Sequence, residues 1–244
     1  MNDQGFTNDG LLDGRIDVRQ PKLGFRIAID TVLLAASITA KPNARVLDLG
    51  AGVGGAALCF AARQNGVCVH GIDVQPDMIA LAHENAAANG FDDRLTFEAG
   101  NVATWRGDGF DHVMANPPYF KKERANAQAH GPKATATVED DVSLAHWAHC
   151  AAHALRHKGT FTLIFEAERL DSVLDALAGA FGGVVVFPLW PRAGAAAKRI
   201  IVSARKGAKA PLKILPGLIL HDTNGYTSDA ERVLRDAQAL ELTL

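Results

Sequence analysis

The chain has 244 residues, and its 25 lysines and arginines nearly cancel its 27 aspartates and glutamates. That length allows one large domain or two small ones at roughly 100–200 residues each, and no apolar run approaches the ~18–20 residues of a membrane span. Three cysteines (Cys59, Cys68, Cys150) are too few for a disulfide framework and lack metal-ligand spacing, and the opening MNDQGFTNDG has no secretory pattern, so a cytoplasmic protein is expected.

Leu11–Leu12 and Arg15–Val18 read as a small hairpin across Asp13-Gly14, a pair suited to a type I′ turn. Asp30–Thr39 reads as a helix with Asp30 as its N-cap. Arg45–Leu49 is a short apolar strand, followed by an alanine-rich helix over Val53–Gln64. Val67–Ile72 is a strand, and Pro76–Asn89 a helix that stops at Gly90. Leu95–Glu98 and Phe110–Ala115 are strands. Val142–His157 reads as a helix, Thr160–Phe165 as a strand and Arg169–Phe181 as a helix. Val184–Trp190 and Arg199–Ala204 are two strands joined by a loop, and Ser228–Leu240 closes the chain as a helix. This alternation predicts a mostly parallel sheet covered on both faces, with one antiparallel pair at its edge. Residues 1–40 read as a hairpin-and-helix cap and 41–244 as the main domain.

The first chemical signal is Asp48-Leu-Gly50-Ala51-Gly52-Val-Gly54-Gly55, between a strand and a helix. Glycines there permit a sharp turn and close approach of a ligand to the backbone. Gly50, Gly52 and Gly55 also fit the G-x-G-x-x-G pattern of dinucleotide folds. The next strand ends at Asp73-Val74, where a carboxylate can accept from both ribose hydroxyls of a nucleoside. Two details favour S-adenosyl-L-methionine over a dinucleotide. Asp48 leads the glycines, and its carboxylate either orders the loop or meets a ligand ammonium, whereas a pyrophosphate gains nothing from it. Asn101-Val102 then supplies a polar group for an adenine amine and an apolar one for the ring. The cofactor-site candidates are thus Asp48, Gly50, Ala51, Gly52, Gly54, Asp73, Val74, Asn101 and Val102, with Asn116 beside them.

The second signal is Asn116-Pro117-Pro118-Tyr119, directly after the strand Phe110–Ala115. Two prolines stiffen the turn and remove two backbone donors. The Asn116 side-chain oxygen and the Pro117 carbonyl are acceptors that suit an exocyclic amine, and Tyr119 offers a stacking face worth roughly 1–3 kcal/mol to a base. These four are the catalytic candidates.

The motifs DLGAGVGG, GIDV, GNV and NPPY together resemble class I S-adenosylmethionine-dependent methyltransferases that act on amines. That resemblance implies an α/β doubly wound, mostly parallel seven-stranded sheet of order 3-2-1-4-5-7-6, strand 7 antiparallel. GFRIAIDTVLLAAS, RIIVSARKG and LILHDTNGYTSDAERVL extend a narrower resemblance, to the bacterial valine-tRNA adenine-N6 methyltransferases, over nearly the whole chain. It implies methyl transfer to an adenine beside the anticodon, and it adds Asp30 to the cofactor-site candidates. Many relatives carry Asp where Asn101 stands; an Asn oxygen can still accept from an amine.

Charge is segregated. Val184–Leu220 holds seven basic residues and no acid, while Gly71–Gly100 holds six acids against Arg94. With tRNA as partner, Phe120, Lys121, Lys122, Arg124, Lys133, Arg192, Lys198 and Arg199 are the expected RNA contacts. Trp190 and Phe120 either stack on a flanking base or are buried. His146, His149, His153 and His157 fall within about 80° of one helical face and read as its solvated side, so no metal is expected. A monomer without membrane attachment is expected. Rival readings are a glutamine-amide methyltransferase with the same N-P-P-Y turn, a ribosomal-RNA guanine-N2 methyltransferase, and a non-enzymatic nucleotide-binding module.

Overall fold

In the computed structural model, which describes residues 5–23, 26–118 and 142–242, the chain begins with an antiparallel hairpin. Its strands are β1 (Phe6–Leu11) and β2 (Ile16–Pro21), with Leu11 opposite Ile16. The expected two-residue turn is instead a four-residue one: Leu12 and Asp13 join Gly14 at positive φ. The buried Leu12 side chain offsets a left-handed backbone that costs roughly 1–2 kcal/mol. Helix α1 (Ile29–Ala36) is capped at Ala28 rather than at Asp30, which lies in the first turn. A carboxylate there still faces the positive end of the helix dipole.

The main sheet comprises β3 (Arg45–Leu49), β4 (Cys68–Asp73), β5 (Leu95–Ala99), β6 (Phe110–Ala115), β7 (Leu155–Glu166), β8 (Phe181–Arg192), β9 (Arg199–Lys206), β10 (Lys213–Ile214) and β11 (Leu218–His221). Its order is β10-β8-β9-β7-β6-β3-β4-β5, and β11 also pairs with β8. Among the described residues, nine strands replace the seven expected. The twelve-residue β8 leaves an outer edge of backbone donors and acceptors, and two short parallel strands, β10 and β11, satisfy parts of it. Inside them, β9 is antiparallel to both β7 and β8.

Side chains alternate between two cores. Val46, Met114, Ile164 and Ile201 face α1, α2 (Gly55–Arg63), α3 (Pro76–Ala88) and α6 (Ser228–Leu234). Leu47, Leu49, Val113 and Phe161 face α4 (Leu144–Ala154) and α5 (Leu170–Leu177). The period of two along each strand dictates this division. None of the described helices is long and apolar enough to cross a membrane.

Four helix ends fall three or more residues short of expectation, the first being α1, which ends at Ala36 rather than Thr39. Helix α4 stops at Ala154, because Leu155 already pairs with Phe110 in the sheet. His157 therefore lies on β7, apart from His146, His149 and His153 on α4. Helix α5 ends at Leu177, since Phe181 starts β8 and packs its ring on Phe161. Helix α6 ends at Leu234.

The hairpin docks on α3 through two asparagines one turn apart. Asn89 accepts from the Asp17 N–H at 3.0 Å and donates to the Asp17 carbonyl at 2.7 Å. Asn85 accepts from the Arg19 N–H at 2.8 Å and donates to the Arg19 carbonyl at 3.0 Å. The two amides act as a surrogate strand along the outer edge of β2. Asn85 also donates to the Val53 carbonyl at 3.0 Å, so one buried amide holds both the hairpin and the glycine loop.

Candidate active site

Beyond β3 the chain turns through Gly50, Gly52 and Gly54 at φ of +67°, +54° and +85°, and enters α2. The turn also runs against two aromatic rings: a Cβ at Gly50 would lie 2.6 Å from Cη2 of Trp147, and one at Gly54 would lie 3.1 Å from Cζ of Phe97. Glycine meets both demands, the left-handed backbone and the close approach.

Asp73, the last residue of β4, is buried beside this loop. Its Oδ2 accepts from the Gly52 N–H at 2.9 Å, and its Oδ1 from the Gln75 N–H at 2.9 Å. The carboxylate thus fixes the loop to the neighbouring strand end. Each oxygen keeps a further lone pair for a hydroxyl donor.

Asp48 faces the α2 side of β3 and is 2% exposed. Burial pushes its carboxyl up to about 8; the Ala57 N–H pulls it down, and the negative charge of Asp73 adds to the rise. Its Oδ2 has no hydrogen-bond partner among the described residues. An unpaired buried carboxylate oxygen is costly, and a cationic ligand group would supply the missing partner.

A cavity of about 520 Å³ opens at the carboxyl ends of β3, β4 and β6. That is within the usual size for a small-molecule site, and the carboxyl edge of an open α/β sheet is where such sites form. It gathers Asp48, Gly50, Ala51, Gly52, Asp73, Val74, Asn101, Val102, Asn116 and Pro118 from four separate stretches of sequence. Asn101 follows β5, and its Oδ1 accepts from the Ala103 N–H at 2.8 Å. Asn116 and Pro118 follow β6 directly.

Other expected residues lie elsewhere. Gly54 and Pro117 are not on the cavity wall. Asp30 is not either: Thr31 lines the cavity, and the Asp30 carboxylate accepts from Arg199 Nε at 3.0 Å. Arg199 is accordingly half-buried at the start of β9, while Arg192 and Lys198 are exposed on the outer part of the same sheet edge. Tyr119, Phe120, Lys121, Lys122, Arg124 and Lys133 lie outside the described residues.

The cavity also uses residues that sequence reasoning missed. Pro21, Leu23, Ile27 and Thr31 bring the N-terminal segment to its wall, and Trp147 arrives from α4. Trp147 lies buried on the side of its helix away from the histidines, but nothing local to it in the sequence marks the glycine loop as its neighbour.

The sequence model of the family described as "methyltransferase small domain" matches residues 26–187. A curated protein of Actinobacillus succinogenes named tRNA1(Val) (adenine(37)-N6)-methyltransferase is 28% identical over 207 residues, covering 83% of this chain and 86% of its own. A protein of the same name from Aeromonas salmonicida is 26% identical over 230 residues, covering 91% and 93%. Among solved structures, one described as a predicted O-methyltransferase from Agrobacterium tumefaciens superposes with a TM-score of 0.73 at 24% identity, over 87% of this chain and 98% of that one. The likeness to that structure is one of fold.

Proposed function

The chain belongs to the methyltransferase small domain family, and from that premise we propose that it methylates the exocyclic N6 amine of an adenine in tRNA, using S-adenosyl-L-methionine. The tRNA is a valine tRNA and the adenine lies beside its anticodon, as the names of the curated relatives suggest. The observation that carries the reading is the convergence of Asp48, the glycine turn, Asp73 and Asn116 on one cavity.

The cavity fits this cofactor on its own evidence: a buried carboxylate oxygen awaits a cationic partner, and a left-handed glycine turn exposes its backbone. In this reading Asp48 faces the ligand's ammonium, and Asp73 accepts from its ribose hydroxyls. Asn101 meets the adenine amine of the cofactor, with Val74 and Val102 against the ring. Gly50, Ala51, Gly52 and Gly54 form the turn around the ligand. Asp30 acts from one residue away, through Thr31. When bound, S-adenosyl-L-methionine supplies a sulfonium methyl group as the electrophile.

The Asn116 side chain and the Pro117 carbonyl accept from the two hydrogens of the target amine. Its lone pair is thereby directed at the methyl carbon. Pro118 stiffens the turn and Tyr119 stacks on the base. No strong general base is needed, because the amine sheds its proton after it becomes cationic. Rate enhancement comes mainly from orientation. Phe120, Lys121, Lys122, Arg124, Lys133, Arg192 and Lys198 contact the RNA, and Arg199 does so while held by Asp30. Residues 1–40 act as a cap over the cavity of a domain spanning 41–244, and the enzyme works as a cytoplasmic monomer.

The test is purified protein with tritiated cofactor and separate tRNA, ribosomal-RNA and protein fractions. Label in tRNA, recovered as N6-methyladenosine, is expected. Label confined to protein or to ribosomal RNA would overturn the proposal.

A further inference from the structure

The LILHDTNGY segment lies outside the cavity, yet its local structure is closely specified. Gly217, at φ +84°, passes so near β8 that a Cβ would lie 2.1 Å from the Pro188 carbonyl oxygen. The parallel register that follows sets Leu218 beside Leu189, Ile219 beside Trp190 and His221 beside Arg192. Register partners share a face, and successive residues alternate. Leu189, Leu218 and Leu220 enter the core. Trp190, Arg192, Ile219 and His221 therefore share the opposite face.

The chain then folds back. The Asp222 N–H donates to the Gly225 carbonyl at 3.0 Å, and the Asp222 carboxylate accepts from the Asn224 N–H at 2.7 Å. Tyr226 returns as the bridge partner of His221, and their rings stack at 4.6 Å and 22°. Thr227 anchors the return: its N–H donates to the Leu220 carbonyl at 2.9 Å, and its hydroxyl donates to the Ile219 carbonyl and caps α6. The Trp190 indole is fixed in turn on the Pro216 carbonyl at 2.9 Å.

The result is a half-exposed row of fixed rings beside an exposed arginine. Ile219 is 40% exposed within it. The neighbouring stretch Val184–Leu220 carries no acid, and the exposed Asp222 carboxylate accepts from the Asn224 N–H of its own loop. Planar side chains interleaved with cations are what a single-stranded nucleic acid recognises. Rings already fixed cost little further entropy to engage.

The row also lies on the correct edge. Strands β7, β8 and β11 all run parallel to β6, so the ends of β8 and β11 share the cavity's edge of the sheet. From β6 to β11 there are four strand spacings, roughly 19 Å at ~4.8 Å each. A strand stacked at ~3.4 Å per nucleotide covers that distance in about five or six nucleotides.

We propose that Trp190, Arg192, Ile219, His221 and Tyr226 form a stacking platform for the RNA strand flanking the target adenine. This rests on the tRNA reading above and names a second place where the RNA is held.

The experiment measures binding of fluorescent tRNA and of a single-stranded RNA oligonucleotide by anisotropy, with S-adenosylhomocysteine affinity followed by calorimetry. His221→Ala and Tyr226→Leu should each weaken RNA binding at least about 5-fold, the lower end for one lost base stack. The KM for tRNA should rise with them, while kcat and S-adenosylhomocysteine affinity hold. Arg192→Ala should lower the salt slope by about one. Wild-type RNA affinity in folded His221→Ala overturns the platform, as does a parallel fall in S-adenosylhomocysteine affinity, which would mark a merely structural role. His221→Ala decides alone if Tyr226→Leu does not fold. A wild-type protein that neither binds nor methylates RNA overturns the tRNA reading itself, and the platform with it.

Discussion

Replacing Asp48 by Asn should stabilise the ligand-free protein and weaken its ligand binding. The side chain is 2% exposed, and burial raises its carboxyl from 3.8 to about 8. A raised acid pKa means that folding favours the protonated form. Below about pH 4 both folded and unfolded states are protonated, and the group costs nothing. Above that, the unfolded state ionises first, and stability falls steadily until the folded carboxyl titrates at about 8. Each pH unit in that window costs about 1.4 kcal/mol, so from pH 5 to pH 7 the wild type should lose about 3 kcal/mol relative to Asp48→Asn. In a chain of this size that is roughly 6–12 °C in the difference between their Tm values. Thermal unfolding of both proteins across this range cancels the titration of all other groups. A cationic ligand should also expel the proton from Asp48 near pH 7, and calorimetry in buffers of different ionisation enthalpy reads that release directly. Parallel Tm curves together with proton-neutral binding would refute the reasoning.

Gly50→Ala places a Cβ 2.6 Å from the Trp147 ring at φ +67°; it should cost about 1–3 kcal/mol in urea unfolding and weaken S-adenosylhomocysteine binding. Asn85→Asp removes the donor to the Arg19 and Val53 carbonyls. Amide exchange in both the hairpin and the glycine loop should accelerate, whereas Asn89→Asp, which touches only the hairpin of these two, should affect the hairpin alone. Asn116→Ala should abolish turnover on tRNA at least a hundredfold, roughly 3 kcal/mol of barrier, while S-adenosylhomocysteine binding by calorimetry persists.

Where structure follows from a dense local pattern, it was legible in advance. Strands β3 and β6 are buried apolar runs, and both occur over the expected residues, Arg45–Leu49 and Phe110–Ala115. The glycine turn was legible because glycine takes a left-handed backbone, as Gly50, Gly52 and Gly54 do, without the steric cost of a Cβ. Strands β10 and β11 were not, because two and four residues carry no usable alternation and form only against the open edge of β8. The end of α4 was missed for a related reason. Leu155, Arg156 and His157 continue a helical pattern without a glycine or proline, and it is pairing with Phe110, 45 positions earlier, that turns them into strand.

By itself, then, the sequence determined the elements with a dense local pattern and marked short segments that meet at the cavity: the acid-led glycine turn, Asp73, Asn101 and the Asn-Pro-Pro turn. These depend on backbone conformations and donor sets that neighbours in the chain dictate. Tertiary structure alone decided which side chains share a wall, since that depends on register and packing between distant segments. It turned Asp30 toward Arg199 and put Thr31 in the cavity, set Trp147 beneath Gly50, and left an Asp48 oxygen buried without a partner among the described residues. It also stacked Tyr226 on His221 beside Arg192, where a chain of nearly balanced charge acquires a basic, aromatic edge.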